Sequence, residues 1–168
     1  DSSRIDLIDV VANARPTALI AVSGQTGALT EPIVREMAAH VERPIIFPLS
    51  NPTSKTECTP EDAMHWSDGR AIVATGSPFA PVEMNGRRFR IGQCNNAFIF
   101  PGIGLGVCVS KAKRVSDGMF LDAAKALATH VTEADIKESA VYPQIATIRE
   151  CSHSVACAVI KRAVADGL

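Results

Sequence analysis

Three short polar loops contain the residues best suited to ligand chemistry. They lie at residues 23–27 (SGQTG), 50–54 (SNPTS) and 75–78 (TGSP), and each follows a run of apolar residues. Glycine, hydroxyl and amide groups in such loops can bring backbone N–H groups close to a sugar, an amide or a carboxylate. Taken singly, each loop is an ordinary turn of an α/β protein. Three of them in register favour a ligand cleft.

A second polar cluster, Gln93-Cys94-Asn95-Asn96, precedes an apolar segment. Its two adjacent amides could cap the start of a helix. They could instead bind a hydroxy acid, because amide N–H groups donate to a carboxylate while an amide oxygen accepts from a hydroxyl. The residues alone leave both interpretations open for Asn95 and Asn96.

The remaining composition excludes several classes of function. The five cysteines and four histidines are scattered, with no C-x-x-C pair and no metal-ligand spacing, so a reducing compartment and no metal site are expected. A net charge of -1 provides no positive field for nucleic acid. The longest apolar stretch, residues 97–110, is broken by proline and glycines and is too short to cross a membrane.

The elements that must position the loops follow from the apolar pattern. Residues 17–22, 44–49 and 71–74 are short apolar runs that predict parallel strands, the first of them buried on both faces. Helices are predicted from the cap Thr30 to about His40 and, after the cap Thr59, over residues 60–66. Strand, helix and strand at this spacing indicate βαβ units, so the fold class is α/β with a partial, Rossmann-like doubly wound sheet.

The second half of the chain predicts a hairpin followed by a C-terminal helical segment. Asn85-Gly86 between two short arms is a strong hairpin signal, and helices are expected near residues 101–112, 117–130 and 148–164, with a short turn at 133–138. The phosphate-binding fingerprint G-x-G-x-x-G is absent. Gly102, Gly104 and Gly106 follow no strand, so they are expected to allow close helix packing. A helical pattern without a cap from Ile5 suggests a chain cut from a longer one.

Together, these motifs resemble those of the malic enzymes of the larger class. The resemblance covers essentially the whole chain. The matching stretches are PTALIAVSGQTGALTE (16–31), RPIIFPLSNPTSKTECTPEDA (43–63), ATGSPFAPV (74–82) and GQCNNAFIFPGIGLGV (92–107). Ala21, Thr26 and Cys94 depart mildly from the family pattern.

The resemblance implies oxidative decarboxylation of malate to pyruvate and CO2, with NAD or NADP as cofactor and Mg²⁺ or Mn²⁺ as metal. Asn51, Asn95 and Asn96 are then substrate-binding residues. Ser23, Gly24, Ser50 and Asn51 are neighbours of the nicotinamide. The catalytic residues and metal ligands are expected upstream of Asp1, which leaves none in this chain.

The resemblance also sets the expected organisation. Residues 1–168 would be the C-terminal part of the dinucleotide-binding domain, with βαβ units at 1–81 and the hairpin and closing helices at 82–168. Malate and pyruvate are the expected partners, together with further copies of the chain in a homo-oligomer, in the cytoplasm or the mitochondrial matrix. The alternative is a non-catalytic dinucleotide-binding or assembly module.

Overall fold

The computed structural model describes residues 5–168 and divides the chain into two compact units. The first unit contains the described residues up to Cys94 together with Lys137–Val141. The second contains Asn95–Ile136 and Tyr142–Leu168.

The first unit is built on a four-stranded parallel sheet. Its strands are β1 (Ala18–Ala21), β2 (Ile45–Pro48), β3 (Ile72–Thr75) and the two-residue β6 (Gly92–Gln93), in the order β1-β2-β3-β6. The three predicted parallel strands are therefore confirmed, and the α/β, partial Rossmann-like fold class with them. The fourth strand was not predicted, because two residues without an apolar run leave no pattern to find.

Helices α1 (Leu7–Ala14), α2 (Glu31–His40) and α3 (Pro60–Trp66) belong to this unit. Thr59 caps α3 as predicted, since its hydroxyl oxygen accepts from the Asp62 N–H at 3.1 Å. The expectation that the first helix lacks a cap was wrong: Asp6 is its N-cap, and the Asp6 N–H donates to the Asp9 carboxylate at 3.3 Å.

The prediction of a first strand buried on both faces was also wrong. Strand β1 forms an edge of the sheet, and Ile20 in it is 61% exposed. The apolar core instead lies around α2, α3 and the inner strands, where Val34, Met37 and Ile46 are fully buried.

The predicted hairpin is confirmed in β4 (Val82–Met84) and β5 (Arg87–Phe89), which pair antiparallel. Asn85 and Gly86 both have positive φ, 53° and 70°, as a two-residue turn of type I′ requires.

The second unit is helical, with α4 (Phe100–Ser110), α5 (Asp117–Ala128), α6 (Glu133–Lys137, whose last residue falls in the first unit) and α7 (Ile148–Ala165). Its core joins α4, α5 and α7 through Ile103, Met119 and Val155. Among the described residues, no helix is long and apolar enough to cross a membrane.

Candidate functional site

The loops after β1 and β2 meet at the carboxylate of Glu57. Its Oε1 accepts from the Ser23 N–H at 2.7 Å, the Ser23 hydroxyl at 3.0 Å, the Gly24 N–H at 3.3 Å and the Ser50 hydroxyl at 2.6 Å. The Ser50 N–H reaches Oε2 at 3.4 Å. Three residues predicted to lie at the nicotinamide, Ser23, Gly24 and Ser50, are thus brought together around one acid that the sequence did not single out.

Glu57 is completely buried, and hydrogen bonds compensate its charge. Burial is the largest influence on its carboxyl group and by itself raises the pKa. The hydrogen bonds from Ser50 and Ser23 together outweigh burial and hold the pKa of Glu57 below its ordinary value. A buried carboxylate with this many donors is ionised at neutral pH.

The two serine hydroxyls have defined roles as a result. Each hydroxyl proton points to Glu57, and each hydroxyl oxygen also accepts a backbone N–H. The Ser23 oxygen accepts from Gln25 at 3.2 Å and the Ser50 oxygen from Gly24 at 2.9 Å. A hydroxyl has one donor and two acceptor positions, so what each serine keeps for a ligand is acceptor capacity.

The loop after β3 contacts Asn51, which lies in the loop after β2. The Ser77 hydroxyl donates to the Asn51 amide oxygen, and Ser77 is itself buried. Gly76 permits this approach, since a Cβ there would lie 2.0 Å from the Leu49 carbonyl oxygen and 3.1 Å from the Asn51 amide nitrogen. Because the amide oxygen of the exposed Asn51 is bound to Ser77, its amide nitrogen is the end that can donate to a ligand carboxylate.

Gln93 and Cys94 extend the β3 loop. The Gln93 amide donates to the Gly76 carbonyl oxygen at 3.1 Å, and the Cys94 N–H donates to the Thr75 carbonyl oxygen at 2.8 Å. The first half of the polar cluster at 93–96 therefore supports the loop that contacts Asn51.

Asn95 and Asn96 lie in the second unit. Asn95 is the N-cap of a short 3₁₀ turn, Asn96–Phe98, and its amide oxygen accepts from the Ala97 N–H at 2.9 Å. Asn95 is partly buried and Asn96 is exposed. The capping interpretation of this cluster is thus realised by the Asn95 oxygen.

Glu57 and Ser77 are the residues that sequence reasoning missed. Glu57 stands within one of the matched stretches, but its neighbours Thr56 and Cys58 give no pattern that marks it, and its Ser23 contacts span 34 residues. Ser77 was included in a polar loop without a role. The one available signal was a carboxylate outside any helix cap, a few residues after a polar loop.

The residues present fit a nicotinamide cofactor and do not fit a metal. Gly24 and Gly27 have positive φ, and a Cβ at either would meet nothing within 4 Å, so the loop after β1 leaves open space above its backbone. Uncharged acceptors beside that space suit a carboxamide. Within residues 5–168, no group of three or more His, Cys, Asp or Glu side chains could hold a metal ion.

Polar loops at the carboxyl ends of adjacent parallel strands define an α/β domain of the nucleotide-binding class. Residues 1–164 match the family described as malic enzyme, NAD binding domain. The chain belongs to the malic enzyme family.

Curated relatives agree with this membership. The chain is 54% identical over 168 residues to an NAD-dependent malic enzyme of Sodalis glossinidius (strain morsitans), covering all of this chain and 30% of the relative. It is 53% identical over 167 residues to that of Shewanella sp. (strain ANA-3), covering 99% of the chain and 30% of the relative. It is 52% identical over 161 residues to that of Pseudomonas aeruginosa (strain UCBPP-PA14), covering 96% of the chain and 28% of the relative. The chain therefore spans about 30% of the length of these relatives.

Proposed function

We propose that this chain supplies the nicotinamide and malate side of the site in an NAD-dependent malic enzyme, which converts malate to pyruvate and CO2. In this proposal residues 1–168 are the C-terminal part of the dinucleotide-binding domain. The observation that carries it is the group of uncharged polar residues on adjacent loops, Ser23, Gly24, Ser50 and Asn51, in a chain of this family.

NAD would supply the oxidant, accepting hydride from C2 of malate. The chain's own residues would bind and orient. Ser23, Gly24 and Ser50 would lie at the nicotinamide, and Asn51, Asn95 and Asn96 would donate to malate. Asn51 is suited to a carboxylate because Ser77 fixes its amide oxygen and leaves its amide nitrogen as the donor.

The remaining parts of the reaction belong outside these residues. Oxidative decarboxylation by this family uses Mg²⁺ or Mn²⁺, and we place its ligands and the proton-transferring groups elsewhere in the complete protein. NAD is proposed over NADP because the relatives are named NAD-dependent. Five free cysteines and bacterial relatives support a cytoplasmic location.

Replacing the amides in the complete protein tests the proposal. Asn51→Ala and Asn95→Ala each remove a hydrogen bond to a charged group, worth about 1.5–3 kcal/mol, so kcat/KM for malate should fall roughly tenfold to hundredfold. Asn13→Ala is the matched control, because the exposed Asn13 amide donates to the Asp9 carbonyl oxygen within its own helix.

Asn51→Asp separates binding from structure. It keeps an oxygen for the Ser77 hydroxyl but replaces the amide donor by a negative charge, so the melting temperature should hold while KM for malate rises. Unchanged malate kinetics beside a lowered melting temperature in the alanine variants would contradict the substrate assignment.

A non-catalytic assembly module is the second candidate. It is favoured by the exposed apolar residues of the β1 edge, Ile20 at 61% and Val22 at 74% exposure. Full malate-oxidising activity in the complete protein, lost in the amide variants, would rule it out.

A further inference from the structure

The hydrogen bonds around Glu57 restrict what its neighbours can recognise. Both serine hydroxyls donate to the carboxylate, at 3.0 Å from Ser23 and 2.6 Å from Ser50. Each serine oxygen already accepts one backbone N–H. A ligand group between these serines therefore has to be a hydrogen-bond donor.

The carboxamide and the phosphates of a nicotinamide cofactor differ in this respect. The carboxamide carries two N–H donors, whereas phosphate oxygens at neutral pH only accept. A phosphate here would meet acceptor oxygens and a buried negative charge a few ångströms behind them. The loop chemistry therefore selects the carboxamide and disfavours phosphate.

We propose that Glu57 is a positioning residue that makes this site selective for the oxidised nicotinamide: it fixes Ser23 and Ser50 as acceptors for the carboxamide and places a buried negative charge behind them. The proposal rests on the proposed function, since it requires the nicotinamide to lie at these loops.

The charge of the nicotinamide ring depends on its redox state. The oxidised ring carries one positive charge and the reduced ring none, so a fixed negative charge attracts only the first. Two unit charges roughly 10 Å apart, at the effective dielectric constant typical of proteins, would change the ratio of the two affinities by about five- to twentyfold. The depressed pKa of Glu57 keeps this charge present at neutral pH. A site built this way would also release the reduced product more readily.

The first experiment measures dissociation constants for NAD and NADH by calorimetric titration of the complete protein and three variants. Glu57→Gln removes the charge at nearly constant shape, so the Kd for NAD should rise about five- to twentyfold more than the Kd for NADH. Glu57→Asp keeps the charge but draws the carboxylate back by one methylene, so both constants should rise with their ratio retained. Glu61→Gln is the control, because Glu61 is an exposed carboxylate nearby in sequence and should leave the ratio unchanged.

The second experiment needs no variant and stays decisive if Glu57→Gln fails to fold. The unsubstituted complete protein is titrated with two NAD analogues, in which the carboxamide is replaced by an acetyl group or by a carboxylate. The acetyl analogue loses only the donor and should bind several-fold more weakly than NAD. The carboxylate analogue also meets Glu57 and the serine oxygens, so it should bind at least about tenfold more weakly still.

The outcomes of these titrations test the role of Glu57 separately from the proposed function. A complete protein that binds neither NAD nor NADH would overturn both. A protein that binds NAD normally, yet binds the carboxylate analogue equally well or shows an unchanged NAD to NADH ratio in Glu57→Gln, would overturn the role of Glu57 alone. Equal weakening of NAD and NADH in Glu57→Gln would reduce Glu57 to a structural residue.

Discussion

Glu57 and Cys58 are adjacent and both buried, yet the pKa of Glu57 shifts in favour of the charged form and the pKa of Cys58 in favour of the neutral form. Five hydrogen bonds from Ser23, Gly24 and Ser50 stabilise the Glu57 carboxylate. Cys58 has no such compensation: burial, followed by the negative charges of Asp62 and Glu57, raises the pKa of its thiol to about 12. Burial alone therefore does not decide ionisation, and the donors around a group do.

Cys58 should accordingly be inert in the folded protein. A thiol reacts as its thiolate, so at pH 8 an alkylating reagent should modify the exposed Cys108 rapidly and leave Cys58 intact. Peptide mass spectrometry after timed alkylation, with and without urea, measures both residues in one sample. Cys108 is the internal control, and labelling of Cys58 at a comparable rate without urea would contradict this prediction.

The candidate site could be predicted from sequence only where its residues form a local motif. The loops that contain Ser23, Ser50 and Asn51 are rich in glycine, hydroxyl and amide groups, and this composition predicts a ligand-binding site. The acid that joins those loops could not be found in this way, because its partners lie 7 and 34 residues away and become neighbours only when β1 and β2 pair. The contacts of Glu57 with Ser23 and Ser50 therefore depend on strand pairing and not on residues adjacent in sequence.

At the level of elements, glycines set how closely α4 and α7 approach. A Cβ at Gly102 would lie 2.6 Å from the Val155 Cβ and from the Ser152 carbonyl oxygen, and one at Gly106 would lie 2.7 Å from the Val159 Cβ. The expectation that these glycines serve helix packing is confirmed for both. It was wrong for Gly104, where a Cβ would meet nothing within 4 Å, because that position turns away from the packed face.

This difference makes Gly102→Ala and Gly104→Ala a matched pair in one helix. The first overpacks the contact with α7 and should destabilise the chain by about 1–3 kcal/mol. The second adds helix propensity at an open position and should stabilise it by up to about 1 kcal/mol. Urea unfolding followed by circular dichroism measures both, and equal effects in the two variants would contradict the packing assignment.

Elements with a local start signal were predicted well. Thr59 with Pro60 fixed the bounds of α3, and Asn85-Gly86 fixed the hairpin, because caps and turns depend on adjacent residues. The burial of β1 could not be predicted in the same way. An apolar run has the same pattern at the centre and at the edge of a sheet, and position within the sheet depends on the rest of the fold.

At the scale of the whole molecule, the proposal gives the described residues a binding role and places the proton-transferring groups and the metal ligands elsewhere in the complete protein. No metal-binding cluster occurs in residues 5–168, and the chain spans about 30% of the length of its relatives. We therefore expect the isolated chain to show no malate oxidation with Mn²⁺ and either NAD or NADP. The rate of malate oxidation is measured by the absorbance of the reduced cofactor, with a full-length relative as positive control. Turnover above buffer that survives repurification would contradict the expectation.

The isolated chain should also self-associate through the free edge of β1. That strand is the end of the sheet, its four residues are uncharged, and Ile20 and the following Val22 are 61% and 74% exposed. An uncharged, apolar edge is a template for pairing with another strand, and a lysine on such an edge is an effective block. Sedimentation equilibrium of the isolated chain should give a mass that rises with concentration, and Ile20→Lys with Val22→Lys should return it to the monomer. Val164→Lys is the control. Val164 is 75% exposed but lies on α7, away from the sheet edge in sequence, so this variant should still show a mass that rises with concentration. A concentration-independent monomer mass for the unsubstituted chain, or the same loss of association in Val164→Lys, would show that the β1 edge does not drive assembly.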